Sequence, residues 1–222
     1  MAEHGNREDL GGTRAEKQRT RDAAHERRRR RTAAECRSVA EALRDRVLDL
    51  PEVVAARTVA VYVSLPSEPG TAPLVRALLD RRTTVLAPVL LPDHDLDWAV
   101  LEADAVLRRS AAGTDEPTAP TLGVDAIAAA EVVIVPALAV DAEGNRLGRG
   151  GGSYDRALRR TTPPTLTVAL VRDDDLVDVV PADVHDQRVD VVVTPTRLLR
   201  VTTTGPGRAA GDRPWSRPPP TG

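Results

Sequence analysis

Phenylalanine is absent from this sequence, and tyrosine and tryptophan are limited to Tyr62, Tyr154, Trp98 and Trp215. So sparse a set nearly excludes a nucleic-acid platform built on base stacking. Cysteine is reduced to Cys36, which rules out an internal disulfide and any cysteine-based zinc spacing, as suits a reducing compartment. An excess of either charge is missing too: 31 basic side chains face 33 acidic ones, for a net charge of −2 and a pI of about 6.1. No global basic field therefore recruits nucleic acid. No apolar run approaches the length of a membrane span, and the N-terminal residues are polar, with no apolar signal core. The expectation is a soluble, cytoplasmic monomer with no membrane or nucleic-acid partner. A chain of 222 residues can bury one sizeable core and need not form more than one domain.

What the chain does contain is an alternation of strand and helix signals. Residues 1–12 and 202–222 are polar or rich in Gly, Pro and Arg, and are expected to be disordered tails around a domain of residues 13–201. Two capping boxes, Thr13 with Glu16 and Thr32 with Glu35, predict one bent helix or two consecutive ones between Arg14 and Leu48. Val39, Leu43, Val47 and Leu50 recur at helical spacing and should face the core. The arginine run 27–31 reads as a solvated helix face, partly offset by acidic neighbours. Residues 58–64 and 83–88 read as buried strands on either side of a helix at 71–80, which carries Pro73 in its first turn. That order implies a parallel pair with a right-handed crossover.

Further along, residues 96–101 read as a strand, possible in antiparallel pairing, and residues 108–122 as irregular. A short helix at 125–130 leads into a buried strand at 131–140 closed by Pro136. More strands are expected at 165–171 and 189–194, with a short closing piece at 196–200. Asp173, Asp174, Asp175 and Asp178 read as a solvated turn. The sum is a single three-layer α/β domain, a mostly parallel sheet flanked by helices. Ligands of such sheets sit beyond the carboxyl ends of the strands.

The stretch with the strongest chemical content is DAEGNRLGRGGGSYD, Asp141 to Asp155, set between the strand at 131–140 and a short helix at 153–160 capped by Ser153. Gly148, Gly150, Gly151 and Gly152 let the backbone approach an anion, and exposed amides at a helix start favour negative charge. Arg146 and Arg149 add forked cationic donors suited to phosphate oxygens. Asp155 adds a hard carboxylate oxygen suited to the magnesium that accompanies a nucleoside triphosphate. A Walker loop would need a Gly-Lys-Ser/Thr ending, and no lysine is here. A dinucleotide fingerprint would need a glycine where Ser153 stands.

VPALAVD (Val135 to Asp141) followed by GNRLGRGGGSYD (Gly144 to Asp155) resembles the signature of the 5-formyltetrahydrofolate cyclo-ligase, or methenyltetrahydrofolate synthetase, family. The resemblance runs from Lys17 to about Leu199 and implies a Rossmann-like α/β domain. It implies ATP- and Mg2+-dependent cyclisation of 5-formyltetrahydrofolate to 5,10-methenyltetrahydrofolate, with release of ADP and phosphate. Phosphorylation of the formyl oxygen makes the carbon electrophilic and the oxygen a leaving group, and the folate's own N10 then closes the ring. By the same resemblance, ATP contacts fall on Lys17, Arg21, Arg146, Leu147, Gly148, Arg149, Gly150, Gly151, Gly152, Ser153 and Tyr154. Arg149 and Tyr154 take the catalytic positions. Folate contacts fall on Val63 and Glu68, within a Tyr62, Ser64, Glu68, Thr71 pattern, and on Arg149, Gly150, Gly151 and Gly152. Metal contacts fall on Asp155 and on Asp186 of a His185-Asp-Gln-Arg-Val-Asp190 pattern, in which His185 itself is read as a loop residue with no task. The sequence departs from the family pattern at Val140 (for Phe), at Ser153 (for Tyr), and within Asp173 to Asp175 (for Gln).

Two other readings come from different classes. A dinucleotide-binding oxidoreductase would use the glycine turn before a helix, with an acid such as Asp173 about twenty residues on. A non-catalytic nucleic-acid binder would use the 27–31 arginines and the C-terminal arginines, and would bind in a salt-sensitive way.

Overall fold

The computed structural model describes residues 5–110 and 113–201, with side chains from Arg14 onward. Two helices lead the chain, α1 (Gly5–Arg29) and α2 (Ala33–Leu48). The Thr32 hydroxyl accepts a hydrogen bond from the Glu35 amide, and the Glu35 carboxylate accepts one from the Thr32 amide. This capping box starts α2 and resolves the one-or-two question in favour of two helices. The box at Thr13 starts nothing. The backbone is already helical from Gly5, so α1 takes in residues 5–12 of the expected N-terminal tail. Of the expected tails, residues 1–4 and 202–222 lie outside the described residues.

A short α3 (Pro51–Ala55) leads into β1 (Thr58–Val61), α4 (Ala72–Asp80), β2 (Thr84–Leu90) and β3 (Leu96–Leu101). Where an irregular stretch was expected, β4 (Leu107–Arg109) and β5 (Asp115–Pro117) pair as an antiparallel hairpin. The hairpin is short, and β4 is exposed throughout, so it leaves no apolar alternation to read. A 3-10 turn at Val124–Ala129 precedes β6 (Val132–Pro136). Then come a small hairpin, β7 (Ala139–Val140) with β8 (Arg146–Leu147), and α5 (Ser153–Leu158). β9 (Leu166–Leu170), a 3-10 turn at Asp173–Asp175, β10 (Val191–Val193) and β11 (Leu198–Arg200) complete the chain.

One seven-stranded sheet runs in the order β11-β10-β9-β6-β1-β2-β3. Its five central strands are parallel, and the edge strands β3 and β11 are antiparallel to their neighbours. Period-two alternation divides the strand side chains between two cores. Val59, Val61, Val132 and Ile134 pack under α2 and α4, where Leu43, Val47, Leu74 and Leu78 meet them. Ala60, Val133, Val135, Leu86 and Trp98 face the opposite way and pack with Ala157 and Leu158 of α5. Helices therefore cover both faces, the three layers expected. From β1 the chain steps outward to β2 on one side, and from β6 to β9 and β10 on the other, so the topology switches direction between β1 and β6. Open α/β sheets bind ligands at that switch point.

α1 docks differently from the other helices. Its inward stripe is Lys17, Arg21, Ala24 and Arg28, and Ala24 is the one fully buried apolar residue among its described side chains. Arg28 is 5% exposed and donates through Nη2 to Asp175 Oδ2 at 2.9 Å and to the Ala137 carbonyl at 2.7 Å. Arg27 reaches Asp175 Oδ1 at 3.0 Å, and Arg31 pairs with Asp174. This corrects two expectations at once: the 27–31 run is a solvated face only in part, and the 173–175 turn is not solvated at Asp175, which is fully buried. Each buried charge is tolerated because the other neutralises it. Arg29 and Arg30 do pair with Glu26 on the exposed side.

Candidate functional site

The β7–β8 hairpin is the scaffold of the site, and Asp141 fixes its shape. Asp141 is 2% exposed, and its carboxylate accepts from the Glu143 amide (3.0 Å), the Asn145 amide (2.9 Å), Asn145 Nδ2 (2.9 Å) and the Val180 amide (3.0 Å). Gly144, at φ +80, closes the turn, and a Cβ there would collide with the Val189 carbonyl oxygen. The hairpin then delivers residues 146–152 to the carboxyl edge of the sheet. Gly150 takes φ +105 and Gly152 φ +68, conformations that L side chains rarely adopt, so the loop turns tightly into α5. The N-cap of α5 is Gly152 and not Ser153, which is already helical and makes no capping bond. A left-handed cap needs no Cβ, and that geometry prevails over the serine preference.

These elements border a cleft of about 1230 Å³ lined by parts of α1, the loop after β1, the β2–β3 and β4–β5 hairpins, residues 136–138 at the end of β6, residues 146–155, and Asp183 with Asp186. On its floor, Arg146 is 6% exposed and donates through Nη2 to Asp155 Oδ1 at 2.7 Å. The Gln187 amide donates to the same oxygen at 3.0 Å. Burial pulls the Arg146 guanidinium below the ordinary arginine value, opposed by the Asp155 charge. Its Nε, also buried, has no partner, so a donor is left over inside the site.

α1 closes one side. Lys17 Nζ lies 2.6 Å from both Asp183 Oδ2 and Asp186 Oδ2. Burial pulls the Lys17 ammonium down, but the hydrogen bonds it donates to both carboxylates, and their charges, hold it above the usual lysine value. Asp186 is shifted the complementary way: burial pushes it up, while the Asp183 amide, Lys17 and Arg146 bring it below the usual carboxylate value. One turn of helix on, Arg21 Nε donates to the Gly148 carbonyl at 3.0 Å, and its guanidinium covers Gly150. Arg149 is exposed and has no carboxylate partner among the described residues, leaving a guanidinium free at the mouth of the cleft.

Glu68 lies at the deeper end, 8% exposed, with Oε2 accepting from the Leu65 amide at 2.9 Å. Burial raises it above the usual glutamate value, and Arg149 and Arg28 offset part of that rise. Tyr154 is raised well above the phenol range, chiefly by burial and then by the Glu68 charge, so it stays a neutral donor. Tyr62 is raised likewise by burial and donates to the Pro69 carbonyl at 2.7 Å. Val63 lines the cleft beside it. Ser64 and Thr71 lie behind, bonded to one another's backbone amides, and brace the loop that carries Glu68. His185 does not border the cleft; its carbonyl accepts from Arg159.

The arrangement thus gathers every site residue expected from the sequence at one cleft. It adds residues the sequence reading passed over: Gln18 of α1, His94 of the β2–β3 turn, Glu116 of β5, and Asp183. A signal existed for Asp183 alone, as an acid three residues before Asp186. The buried acid Glu68 gives a pH test. A carboxyl whose folded pKa is raised costs nothing while protonated and destabilises the fold once pH exceeds its unfolded value. Glu68→Gln is expected to melt higher than the native protein at pH 8 and to lose that advantage by pH 4, checked by thermal melts across that range. An equal difference at both ends would contradict it.

Fold and site together define a class: a doubly wound α/β protein with a cationic glycine loop at its topological switch point. The 5-formyltetrahydrofolate cyclo-ligase family profile matches residues 13–195. The chain is 40% identical over 163 residues to the 5-formyltetrahydrofolate cyclo-ligase of Mycolicibacterium smegmatis, covering 71% of this chain and 82% of that one. It is 32% identical over 178 residues to that of Escherichia coli, covering 78% and 97%. Among solved structures it is similar to 5,10-methenyltetrahydrofolate synthetase from Aquifex aeolicus, with TM-score 0.73 and 26% identity over 88% of this chain and 96% of that one. The chain belongs to the 5-formyltetrahydrofolate cyclo-ligase family. That membership displaces the oxidoreductase and nucleic-acid readings. Among the described residues, no helix is long and apolar enough to cross a membrane.

Proposed function

We propose that this chain converts 5-formyltetrahydrofolate and ATP to 5,10-methenyltetrahydrofolate, ADP and phosphate. The observation that carries the reading is the convergence of Lys17, Arg21, Arg146, Arg149 and the glycine amides with the buried acid Glu68 on one cleft. The first group suits a polyphosphate and the last an aminopterin ring, whose paired donors a carboxylate accepts. A formamide carbon is a poor electrophile and its oxygen a poor leaving group, so the γ-phosphoryl group goes to that oxygen and N10 then attacks the carbon. N10 gives up its proton to solvent, the C–O bond breaks, and phosphate leaves with the formyl oxygen. The chain needs no covalent nucleophile; alignment and charge stabilisation suffice. Arg149, exposed and without a carboxylate partner among the described residues, meets the migrating phosphoryl charge in this reading, and the neutral Tyr154 phenol donates a hydrogen bond.

The acids fit magnesium. Asp155 and Asp186 offer hard oxygens along the same cleft. Magnesium held by one or two carboxylates takes its remaining oxygens from substrate phosphates and water. When bound, the metal supplies neutralisation of the phosphate oxygens. Aromatic side chains are scarce here, so aliphatic walls such as Val63, Leu65 and Leu90 hold the ring system. The same reading makes the chain a cytoplasmic monomer, and the single cysteine suits the reducing compartment.

The test is the absorbance of methenyltetrahydrofolate on mixing protein, 5-formyltetrahydrofolate and MgATP. A rise that needs ATP is expected, with 18O from a labelled formyl group appearing in the released phosphate. No rise with folded protein, or label absent from phosphate, would overturn the reading.

A further inference from the structure

Lys17 is the only lysine of the chain, and it is 9% exposed. Its ammonium is shared between two carboxylates of one turn. The Asp183 amide donates to Asp186 Oδ2 at 2.8 Å, and the Asp186 amide donates to the Asp183 carbonyl at 3.0 Å, so the two acids are held as a unit. On the function proposed above, which this inference rests on, Asp186 turns to the metal and Lys17 to phosphate. A lysine has a long flexible stem and no planar fork to preserve its aim. An ammonium that lost both carboxylates would have nothing to keep it in the cleft.

The part of α1 that carries Lys17 has little else to hold it. The charge pairs of Arg27, Arg28 and Arg31 lie ten or more residues on, about 15 Å along the helix axis at 1.5 Å per residue. Between them, among the described residues, the buried side chain is Ala24, and Arg21 donates one bond to the Gly148 carbonyl. Asp183 is the acid to which the proposed function gives no metal role, and its side chain is 41% exposed, against 24% for Asp186.

We propose that Asp183 is a positioning residue for nucleotide binding, keeping the Lys17 ammonium aimed at the phosphates while Asp186 serves the metal. A charge-assisted hydrogen bond in a partly exposed site accounts for an effect of about tenfold in affinity. The test is calorimetric titration of magnesium with a non-hydrolysable ATP analogue into the native protein, Asp183→Asn, Lys17→Met and the double variant. Asp183→Asn is expected to bind about tenfold more weakly and Asp183→Glu to recover most of the loss. In the double variant the loss should be no greater than in Lys17→Met alone, because Asp183 acts only through Lys17. Melting temperatures unchanged in Asp183→Asn separate this from loss of fold.

Unchanged or tighter binding by Asp183→Asn, or losses that add in the double variant, would overturn the role of Asp183 while leaving the function standing. A native protein that fails to bind the analogue would defeat the function and this role with it.

Discussion

Asp155→Asn is expected to lower kcat by about a thousandfold while leaving the folate affinity near native, the scale seen when a preorganised charge is removed from a reacting centre. The substitution keeps the shape and removes only the charge. Two consequences follow from where Asp155 sits. A hard anionic oxygen is lost beside the loop that the proposed function assigns to the triphosphate. In addition, Arg146, whose side chain is 3% exposed, keeps its charge without a carboxylate partner. Breaking a buried pair by removing one partner costs roughly 3–5 kcal/mol, and the 21% exposure of Asp155 brings this toward about 2 kcal/mol. Steady-state kinetics and urea unfolding read the two effects separately. A kcat within tenfold of native would remove Asp155 from the chemistry, and unchanged stability would mean that Arg146 finds another partner.

The second large effect is structural. Asp175→Asn removes the fully buried acid that pairs with Arg27 at 3.0 Å and Arg28 at 2.9 Å. Arg28, with its side chain 1% exposed, then keeps only neutral acceptors, the Ala137 carbonyl and the new amide oxygen, and its charge goes uncompensated at an expected cost of about 3–5 kcal/mol. The loss should concentrate in α1, because Ala24 is the only apolar residue that docks its described part. Amide exchange is expected to quicken across residues 14–29 before the sheet strands respond, and the KM for ATP to rise as Lys17 and Arg21 leave the cleft. Native-like protection of α1 in this variant would show that the helix is held by something other than its charges.

Those buried charges also mark where sequence reading stopped. The central strands were legible because β-branched runs such as 132–135 have few other uses, and the order of strand and helix fixed the parallel pairing. The glycine loop was legible through its residues, and the structure brings Lys17, Arg21 and Asp186 to it from remote parts of the chain. The ion pairs of α1 were not. A charged side chain on a helix is assigned to solvent by default, and burial against a partner 147 residues away leaves no periodic apolar trace. The same holds for Asp183, whose value depends on a lysine 166 residues distant. The Ser153 cap failed for a local reason: the loop needed a left-handed residue at that junction, and only the glycine before it could supply one.

The most direct measurement is a crystal structure grown with magnesium and a non-hydrolysable ATP analogue. The phosphates are predicted to lie within hydrogen-bonding reach of the amides of residues 150–153, with the Arg149 guanidinium turned onto the terminal phosphate and the metal held beside Asp155 and Asp186. A nucleotide lodged elsewhere, with this loop open to solvent and Lys17 still shared between Asp183 and Asp186, would contradict it.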